Sequence, residues 1–176
     1  MESVTTEVKL MLDPTAQPPD NYTTPSSFGV KDVKDLTWKN LMEAYTCTEC
    51  GRCTSVCPQN VTGKILSPRK IMMDTRDRLV EVGNNIDKLG PDYDDGKNLH
   101  SYISEPELWA CNTCNACVEA CPVNINPVEI IVEMRRYLVM EKSSAPASLN
   151  SMFSNMENNQ APWQFSPADR ANWINT

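Results

Sequence analysis

Apolar side chains recur every three or four residues in two long stretches of the chain, which is the spacing of one face of an α-helix. The first stretch begins at Pro68, and its face comprises Ile71, Met72, Thr75 and Leu79. The second begins at Pro127, and its face continues with Ile131, Met134 and Leu138. Ser67 and Asn126 immediately precede the two prolines, as N-cap residues precede a proline in the first helical position. The pattern therefore predicts two helices, each beginning at a proline.

A shorter helix is predicted ahead of each long one, in the segments LTWKNLMEAYTC and SEPELWAC. The second segment opens with Ser104 and Glu107, which have the spacing of a capping box. The two halves also correspond position by position: counted from the prolines, the matching pairs are Ile71 and Ile130, Arg76 and Arg135, and Leu79 and Leu138. The sequence predicts an all-α fold of two pseudosymmetric halves, each formed by a helix, a loop and a second helix.

The charge and composition of the chain exclude some classes of function. The 176 residues carry a formal net charge of −7 and an isoelectric point near 4.7, whereas binding to nucleic acid phosphates requires a basic surface. The N-terminus lacks the basic and apolar regions of a secretory signal, and no run approaches the roughly 18 apolar residues of a membrane span. We expect no nucleic acid partner, and a location in the cytoplasm or at the cytoplasmic face of the inner membrane.

All eight cysteines fall in two runs of identical spacing, TCTECGRCTSVCP and ACNTCNACVEACP. Each run has the form C-x2-C-x2-C-x3-C and is followed by a proline, Pro58 or Pro122. In a cytosolic protein, clustered cysteines are metal ligands more often than disulfides. This spacing is typical of bacterial ferredoxins with two [4Fe–4S] clusters, in which the fourth cysteine of each run binds the other cluster. The predicted cofactors are two [4Fe–4S] clusters.

In this interpretation the two runs exchange their fourth cysteines. The first cluster would be held by Cys47, Cys50, Cys53 and Cys121, and the second by Cys111, Cys114, Cys117 and Cys57. Three thiolates on a tight loop can meet three irons of one cube, whereas the fourth points elsewhere. One helical turn between Cys53 and Cys57 corresponds to about 6 Å along the helix axis, so electrons would pass readily between the clusters.

Three alternatives to this cysteine assignment stay open. Four-cysteine zinc sites usually consist of two separated C-x2-C pairs, and zinc would supply structure only. Disulfides would need a secretory context, and adjacent C-x2-C thiols are poor partners for each other. Two clusters could also be held by self-contained runs, in which Cys57 and Cys121 would each stay with their own run.

The cysteine runs, the long interval between them and the predicted helices resemble the α-helical ferredoxin domain, and more narrowly the heterodisulfide reductase C-subunit-related iron–sulfur proteins. The resemblance extends from about residue 30 to the end of the chain. We expect residues 1–35 to be an extended N-terminal segment, residues 36–142 the α-helical dicluster ferredoxin domain, and residues 143–176 an extended docking tail that contains aromatic residues.

The resemblance also implies partners. Similar sequences form the cytoplasmic C-terminal part of larger bacterial proteins whose N-terminal half spans the membrane as a haem- or quinone-linked segment, so this chain would be a fragment or a stand-alone version of that half. In fused relatives, an Asn-x-Pro-Trp stretch connects the ferredoxin domain to a cysteine-rich domain with CCG motifs. Here NNQAPW departs from that stretch by an alanine, and the CCG-domain partner would be a separate polypeptide.

The tail itself carries Phe153, Trp163, Phe165 and Trp173 in a polar stretch. Aromatic anchors of this kind are typical of protein interfaces, which favours docking. The alternative is a tail that packs its aromatic residues back onto its own domain.

These features predict an electron-transfer subunit rather than a complete enzyme. The clusters would relay single electrons between a membrane- or quinone-linked module and a heterodisulfide reductase-like partner. No catalytic residue is predicted, because all cysteines are assigned to clusters, no GxGxxG motif occurs, and His100 is expected on the surface. Two other functions stay open: the iron–sulfur subunit of a glycolate- or lactate-oxidising complex, and a non-redox scaffold in which clusters hold the fold.

The remaining charged residues lie near the long helices and the connection between the halves, residues 83–103. An acidic group of Asp92, Asp94 and Asp95 is expected in a solvated loop. A basic group comprises Arg69, Lys70, Arg76, Arg78, Arg135 and Arg136. These cations would offset the negative clusters, dock an acidic partner, or form an ordinary helix surface.

Overall fold

Helices account for the regular structure of the described residues, which are 2–19 and 27–175 of the computed structural model. In chain order the α-helices are α1 (Glu2–Leu12), α2 (Trp38–Thr46), α3 (Arg52–Ser55), α4 (Pro58–Val61), α5 (Pro68–Leu89), α6 (Glu105–Ala110), α7 (Ala116–Glu119), α8 (Pro127–Met140) and α9 (Ala147–Asn159). Short 3₁₀ helices cover Val33–Asp35, Leu99–Ser101 and Pro167–Asn175. Within these ranges no strand occurs, so the expectation of an all-α fold is confirmed.

The predicted helix starts are confirmed by their caps. The Ser67 hydroxyl accepts a hydrogen bond from the backbone N–H of Lys70 at 3.3 Å, at the start of α5. The Asn126 side chain accepts one from the N–H of Glu129 at 3.3 Å, at the start of α8. At α6, the Glu107 carboxylate accepts from the backbone N–H of Ser104 at 2.9 Å, which completes the capping box.

The chain divides into two compact units, the first ending at Glu141 and the second beginning at Lys142. In the first unit, α5 packs against α2 and α8, and α6 packs against α8. The apolar stripes predicted from the sequence form its core, in which the most deeply buried large side chains include Ile71, Met72, Leu108, Ile130, Ile131 and Met134. Burial of each such side chain stabilises the fold by about 1.5–3 kcal/mol, so the helices that flank the cysteine runs are held firmly.

Parts of the chain that we expected to be extended or looped are helical. Residues Glu2–Leu12 form α1 and Ala147–Asn159 form α9, because both stretches lack proline and glycine and end just before a Pro or an αL residue. Helix α5 also continues to Leu89, seven residues into the predicted connection. It passes through Gly83, whose Cβ position would meet nothing within 4 Å, and ends at Gly90 with φ 90°.

A buried arginine ties the N-terminal part of the first unit to the connection between the halves. The Arg78 side chain is 2% exposed and donates hydrogen bonds to the carboxylates of Asp32 at 2.7 Å, Glu81 at 3.0 Å and Asp95 at 2.6 Å. It also donates to the backbone carbonyl of Lys97 at 2.9 Å. Of the three roles considered for the basic group, an ordinary helix surface is therefore excluded for Arg78, and the expectation that Asp95 is a solvated loop residue was wrong. Hydrophobic periodicity does not detect a buried ion pair.

The segment that precedes the first half packs closely against α8. The N–H of Val30 donates to the carbonyl of Glu133 at 3.0 Å. Gly29 has φ +73°, and a Cβ there would clash with the backbone of Glu133 and Tyr137. Only glycine permits this approach.

None of the helices in the described ranges is long and apolar enough to cross a membrane.

Candidate iron–sulfur centre

Each cysteine run begins on a loop with the same sequence of backbone conformations. In the first loop Glu49 and Gly51 have positive φ angles of 58° and 80°, and in the second Thr113 and Asn115 have 54° and 61°. In each loop, the first of these residues lies two positions after the first cysteine, and the second directly follows the second cysteine. Left-handed residues turn the chain sharply, and the β-branched Thr113 adopts this conformation at a cost, a form of strain that concentrates at functional sites.

The third and fourth cysteines of each run lie around a single helical turn. Cys53 and Cys117 are carried by α3 and α7, which pack against each other. Cys57 follows α3 and caps α4, in which Pro58 takes the first position. Contact between α3 and α7 brings the two runs together at the centre of the first unit.

A first cavity, with about 400 Å³ of empty space, lies beside the first loop and is called cavity 1 here. Its cysteines are Cys47, Cys50, Cys53, Cys117 and Cys121. Three of them come from the first run and two from the second. Cys50 is exposed and the others are partly or fully buried, so this cavity opens to solvent on the side of the first loop.

A second cavity, with about 330 Å³ of empty space, lies beside the second loop and is called cavity 2. Its cysteines are Cys57, Cys111, Cys114 and Cys117. Cys117 lines both cavities, so the two adjoin. Each cavity thus collects thiols from both runs.

The other lining residues exchange between the halves in the same way. Leu66 and Pro68, at the start of α5, line cavity 2, and their counterparts Ile125 and Pro127, at the start of α8, line cavity 1. The exchange reverses after the prolines: Arg69 and Met72 of α5 line cavity 1, and Val128 and Ile131 of α8 line cavity 2. The repeat seen in the sequence therefore describes the walls of the cavities as well as the helices.

Burial raises the pKa of several of these thiols. It is the largest cause of the raised pKa of Cys53 and of Cys111, and it raises the pKa of Cys117 to about 11. Neighbouring thiols add to the effect: Cys57 and Cys114 raise the pKa of Cys111, whereas Arg135 lowers it. Because iron binds the thiolate, cluster binding releases protons from these groups.

Two arginines in equivalent positions hold the cysteine loops against the long helices. Arg76 of α5 forms an ion pair with Glu49 at 2.7 Å. Arg135 of α8 donates from Nε to the carbonyl of Leu108 at 2.9 Å and from its terminal nitrogen to the carbonyl of Cys111. Both contacts lie between the second helix of a half and the loop of the same half, so they fix the loop relative to the helix.

Two carboxylates in equivalent positions join one half to the other. Glu43 of α2 is 8% exposed and accepts from the N–H of Asn126, at the start of α8, at 3.2 Å. Glu107 of α6 is 6% exposed and pairs with Lys70, in the first turn of α5, at 2.9 Å. Sequence reasoning missed both interhalf contacts, although Glu43 and Glu107 each stand four residues before the first cysteine of a run.

His100 lies outside both cavity linings. We expected it on the surface, but it is only partly exposed: its Nε2 is 3.2 Å from the carbonyl of Val30, and its ring centroid is 5.3 Å from that of Tyr137.

The donor set and its arrangement around two adjoining cavities fit iron–sulfur clusters. All eight cysteines are free thiols, and all eight line one of two adjoining cavities within a helical frame. Thiolates are the ligands by which proteins hold [4Fe–4S] clusters. Fold and site together define a helical dicluster iron–sulfur protein.

Comparison with protein families agrees with this class. Residues 46–125 match a family described as "4Fe-4S dicluster domain", and residues 10–62 match a second family of the same description. The two matches together extend from residue 10 to residue 125, which is more than half of the 176 residues. The chain belongs to the 4Fe-4S dicluster family, and it carries two [4Fe–4S] clusters.

Three similar proteins illustrate the range of relatives. A probable membrane-anchored ferredoxin of Chromohalobacter salexigens is 34% identical over 82% of this chain and 24% of its own length. An EtfAB:quinone oxidoreductase of Syntrophomonas wolfei is 30% identical over 84% and 24%. One subunit of a ferredoxin/F420H2-dependent CoB–CoM heterodisulfide reductase of Methanosarcina acetivorans is 32% identical over 60% and 52%. The chain spans about a quarter of the length of the first two relatives.

Proposed function

We propose that this chain relays single electrons through its two clusters, between a membrane- or quinone-linked module and a catalytic partner with CCG motifs. The observation that carries the proposal is the pair of adjoining cavities that share Cys117 in their linings. When bound, a [4Fe–4S] cluster accepts and donates one electron at a time. Two such cofactors in neighbouring cavities form a path across the domain.

We propose the crossed set of ligands for these clusters. Cavity 2 is lined by four cysteines, so a four-thiolate cluster there uses all of them, including Cys117. The four that remain all line cavity 1: Cys47, Cys50, Cys53 and Cys121. This division gives each cluster four ligands and uses each thiol once.

The protein's own contribution to this relay is a rigid and largely apolar surrounding for the clusters. The buried residues Leu66 and Ile125 and the prolines that open α5 and α8 line the cavities. Apolar walls and fixed loops reduce the reorganisation that accompanies a change of charge. The contacts of Arg76 and Arg135 with the cysteine loops also reduce this reorganisation, because they fix the loops.

The names of the relatives support the proposed partners. One relative is a quinone oxidoreductase, one is a probable membrane-anchored ferredoxin, and one belongs to a heterodisulfide reductase. We accordingly propose a location at the cytoplasmic face of the membrane. The catalytic partner is a heterodisulfide reductase-like protein with CCG motifs, which accepts or supplies the electrons.

We propose further that the tail, residues 143–176, docks this catalytic partner. The second unit exposes large apolar side chains: Phe153 is 39% exposed, Trp163 46%, Phe165 68% and Trp173 76%. Exposed aromatic residues in a polar segment are typical of interface anchors. We expect Trp163→Ala with Trp173→Ala to weaken binding to a purified CCG-domain protein at least tenfold, by about 1.4 kcal/mol or more. Unchanged affinity would remove the docking role and leave the relay intact.

Anaerobic redox titration followed by electron paramagnetic resonance tests the relay itself. We expect about eight iron and eight sulfide per chain and two separate, reversible one-electron reductions, with interaction between the two reduced clusters. Clusters that bind in full but cannot be reduced reversibly would favour the non-redox scaffold. Stoichiometric zinc in place of iron would overturn the proposal.

A further inference from the structure

The walls of the two cavities differ mainly in charge. Arg69 lines cavity 1, and the equivalent residue in cavity 2 is Val128. Among the described residues that line cavity 1, the one other charged side chain is Glu49, whose carboxylate is paired with Arg76 at 2.7 Å. The described lining of cavity 2 contains no charged side chain except the cysteines themselves. The pseudosymmetry is therefore broken by one unbalanced positive charge in cavity 1.

The position of Arg69 is not explained by the stability of its helix. It is the second residue of α5, where a cation opposes the helix dipole. Its side chain is exposed, and none of the described carboxylates forms an ion pair with it. One terminal nitrogen lies 4.0 Å from the Cβ position of Gly51, directly beside the cysteine loop. A cation that opposes the helix dipole and has no carboxylate partner to compensate for this cost indicates a functional role.

Cavity 2 has a cation of a different kind. Arg135 lies behind its cysteine loop, donates to the carbonyls of Leu108 and Cys111, and is partly buried. Its counterpart in the first half, Arg76, is neutralised by Glu49. Among the described residues, the exposed Arg69 in the lining of cavity 1 and the partly buried Arg135 outside the lining of cavity 2 both lack a carboxylate partner. Arg52, exposed in the first cysteine run, also forms no ion pair with the described residues, but it does not line cavity 1.

We propose that Arg69 sets the reduction potential of the cluster in cavity 1, independently of the cluster in cavity 2. This proposal rests on the proposed function. A cluster gains negative charge when it is reduced, and a nearby cation stabilises the reduced form and raises the potential. Because Arg69 is exposed, salt or an acidic surface that approaches the first loop weakens this stabilisation. Arg69 is not a ligand of the cluster. Its positive charge acts on the cluster through space.

The test compares Arg69→Gln with Lys88→Gln in the full-length, anaerobically purified protein. Both substitutions remove one positive charge from an exposed position of the same helix. Lys88 lies 19 residues further on, roughly 28 Å along the axis, which is several Debye lengths at physiological salt. The readout is the midpoint potential of each cluster, measured by paramagnetic resonance.

We expect Arg69→Gln to lower the equilibrium constant for reduction of one cluster roughly three- to tenfold, about 30–60 mV for one electron. The other cluster should keep its potential, Lys88→Gln should change neither, and Arg69→Lys should restore most of the loss. Substitution of the exposed ligand Cys50 by serine assigns the affected signal, since Cys50 lines cavity 1 only.

Equal shifts of both potentials, or no shift, would overturn the role of Arg69. In that case reversible reduction of both clusters in the wild type would leave the proposed function standing. Irreducible wild-type clusters would instead contradict the proposed function. If Arg69→Gln loses its clusters, two other measurements test the proposal: the potentials of Arg69→Ala, and the salt dependence of the wild-type potentials. A cavity 1 potential that changes neither with Arg69→Ala nor with salt would count against the proposal.

Discussion

The two halves of the first unit use equivalent arginines in different ways. Arg76 pairs with the Glu49 carboxylate, which is part of the first cysteine loop. Arg135 donates to carbonyl groups at the end of α6, and its guanidinium lies 5.1 Å from the centroid of the Trp109 ring. Tyr45, the counterpart of Trp109, is 57% exposed. The same backbone plan thus yields one loop held by an exposed ion pair and another held by a partly buried stack.

The long helices differ in the same sense. Helix α8 is anchored by a continuous apolar stripe. Helix α5 has an apolar face in its first half and then the buried Arg78 with its three carboxylate partners. The difference teaches that the repeat specifies the cavities, whereas each half secures its helices by its own means. Both helices also depend on charge: Arg136 of α8 pairs with Glu7 and Glu133, but its side chain is 11% exposed, against 2% for Arg78 of α5.

The largest effect is expected from substitution of the fourth cysteine of each run by serine. In our ligand assignment, Cys57→Ser damages the cluster that uses Cys111, Cys114 and Cys117, and Cys121→Ser damages the other. Each variant should lose up to about half of its iron or show one altered resonance signal, with the second cluster retained. The two variants are matched controls for each other. Damage by Cys57→Ser to the cluster that Cys50→Ser also alters would show that the runs do not cross.

A second comparison concerns the charge that anchors α5. We expect Arg78→Ala to reduce the free energy of unfolding by about 3–5 kcal/mol, because Asp32, Glu81 and Asp95 would be left without their buried cation. Arg76→Ala, on the same helix, should cost about 1 kcal/mol or less, because its ion pairs are at the surface. Denaturant unfolding of the anaerobic holoprotein measures both. Similar losses in the two variants would contradict the role assigned to Arg78.

The aromatic residues ahead of the cysteine runs allow a smaller test. Trp109→Ala should cost about 2–3 kcal/mol, since the ring is partly buried and contacts the guanidinium of Arg135. Tyr45→Ala should stay within about 0.5 kcal/mol, because exposed side chains contribute little. The same denaturation assay applies. A larger loss for Tyr45 than for Trp109 would reverse our ranking of the two loops.

The smallest effect concerns acid. Hydrogen bonds from Lys97, Tyr102 and Arg78 lower the pKa of Glu81 to about 2. A folded-state pKa below the unfolded value of about 4.3 stabilises the fold above that value, and the stabilisation is lost as the pH falls towards 2. The thermal stability advantage of the wild type over Glu81→Gln should therefore shrink between pH 6 and pH 3. A difference in thermal stability that grows as the pH falls would contradict this prediction.

Periodicity and cysteine spacing predicted the parts of this molecule that repeat. The helix starts at Pro68 and Pro127 follow from local chemistry, and so do their caps, because an N-cap and a proline act within one turn. The charge cluster of Arg78 could not be predicted, since its partners are separated by 46 and 17 residues in sequence. The contrast between Arg69 and Val128 was visible in the sequence, but only the fold places them on equivalent walls. The crossed ligand set stays a prediction.

The sharing of each cavity by both halves has a consequence for the order of assembly in the cell. The wall of cavity 1 includes Ile125 and Pro127, and that of cavity 2 includes Ile131. Neither cavity is complete until the ribosome has synthesised most of the first unit. Nascent chains therefore present the first cysteine run as unprotected thiols while the second is still being made. Iron–sulfur delivery must follow translation of both runs, and a premature stop between them would yield a product with neither cavity complete.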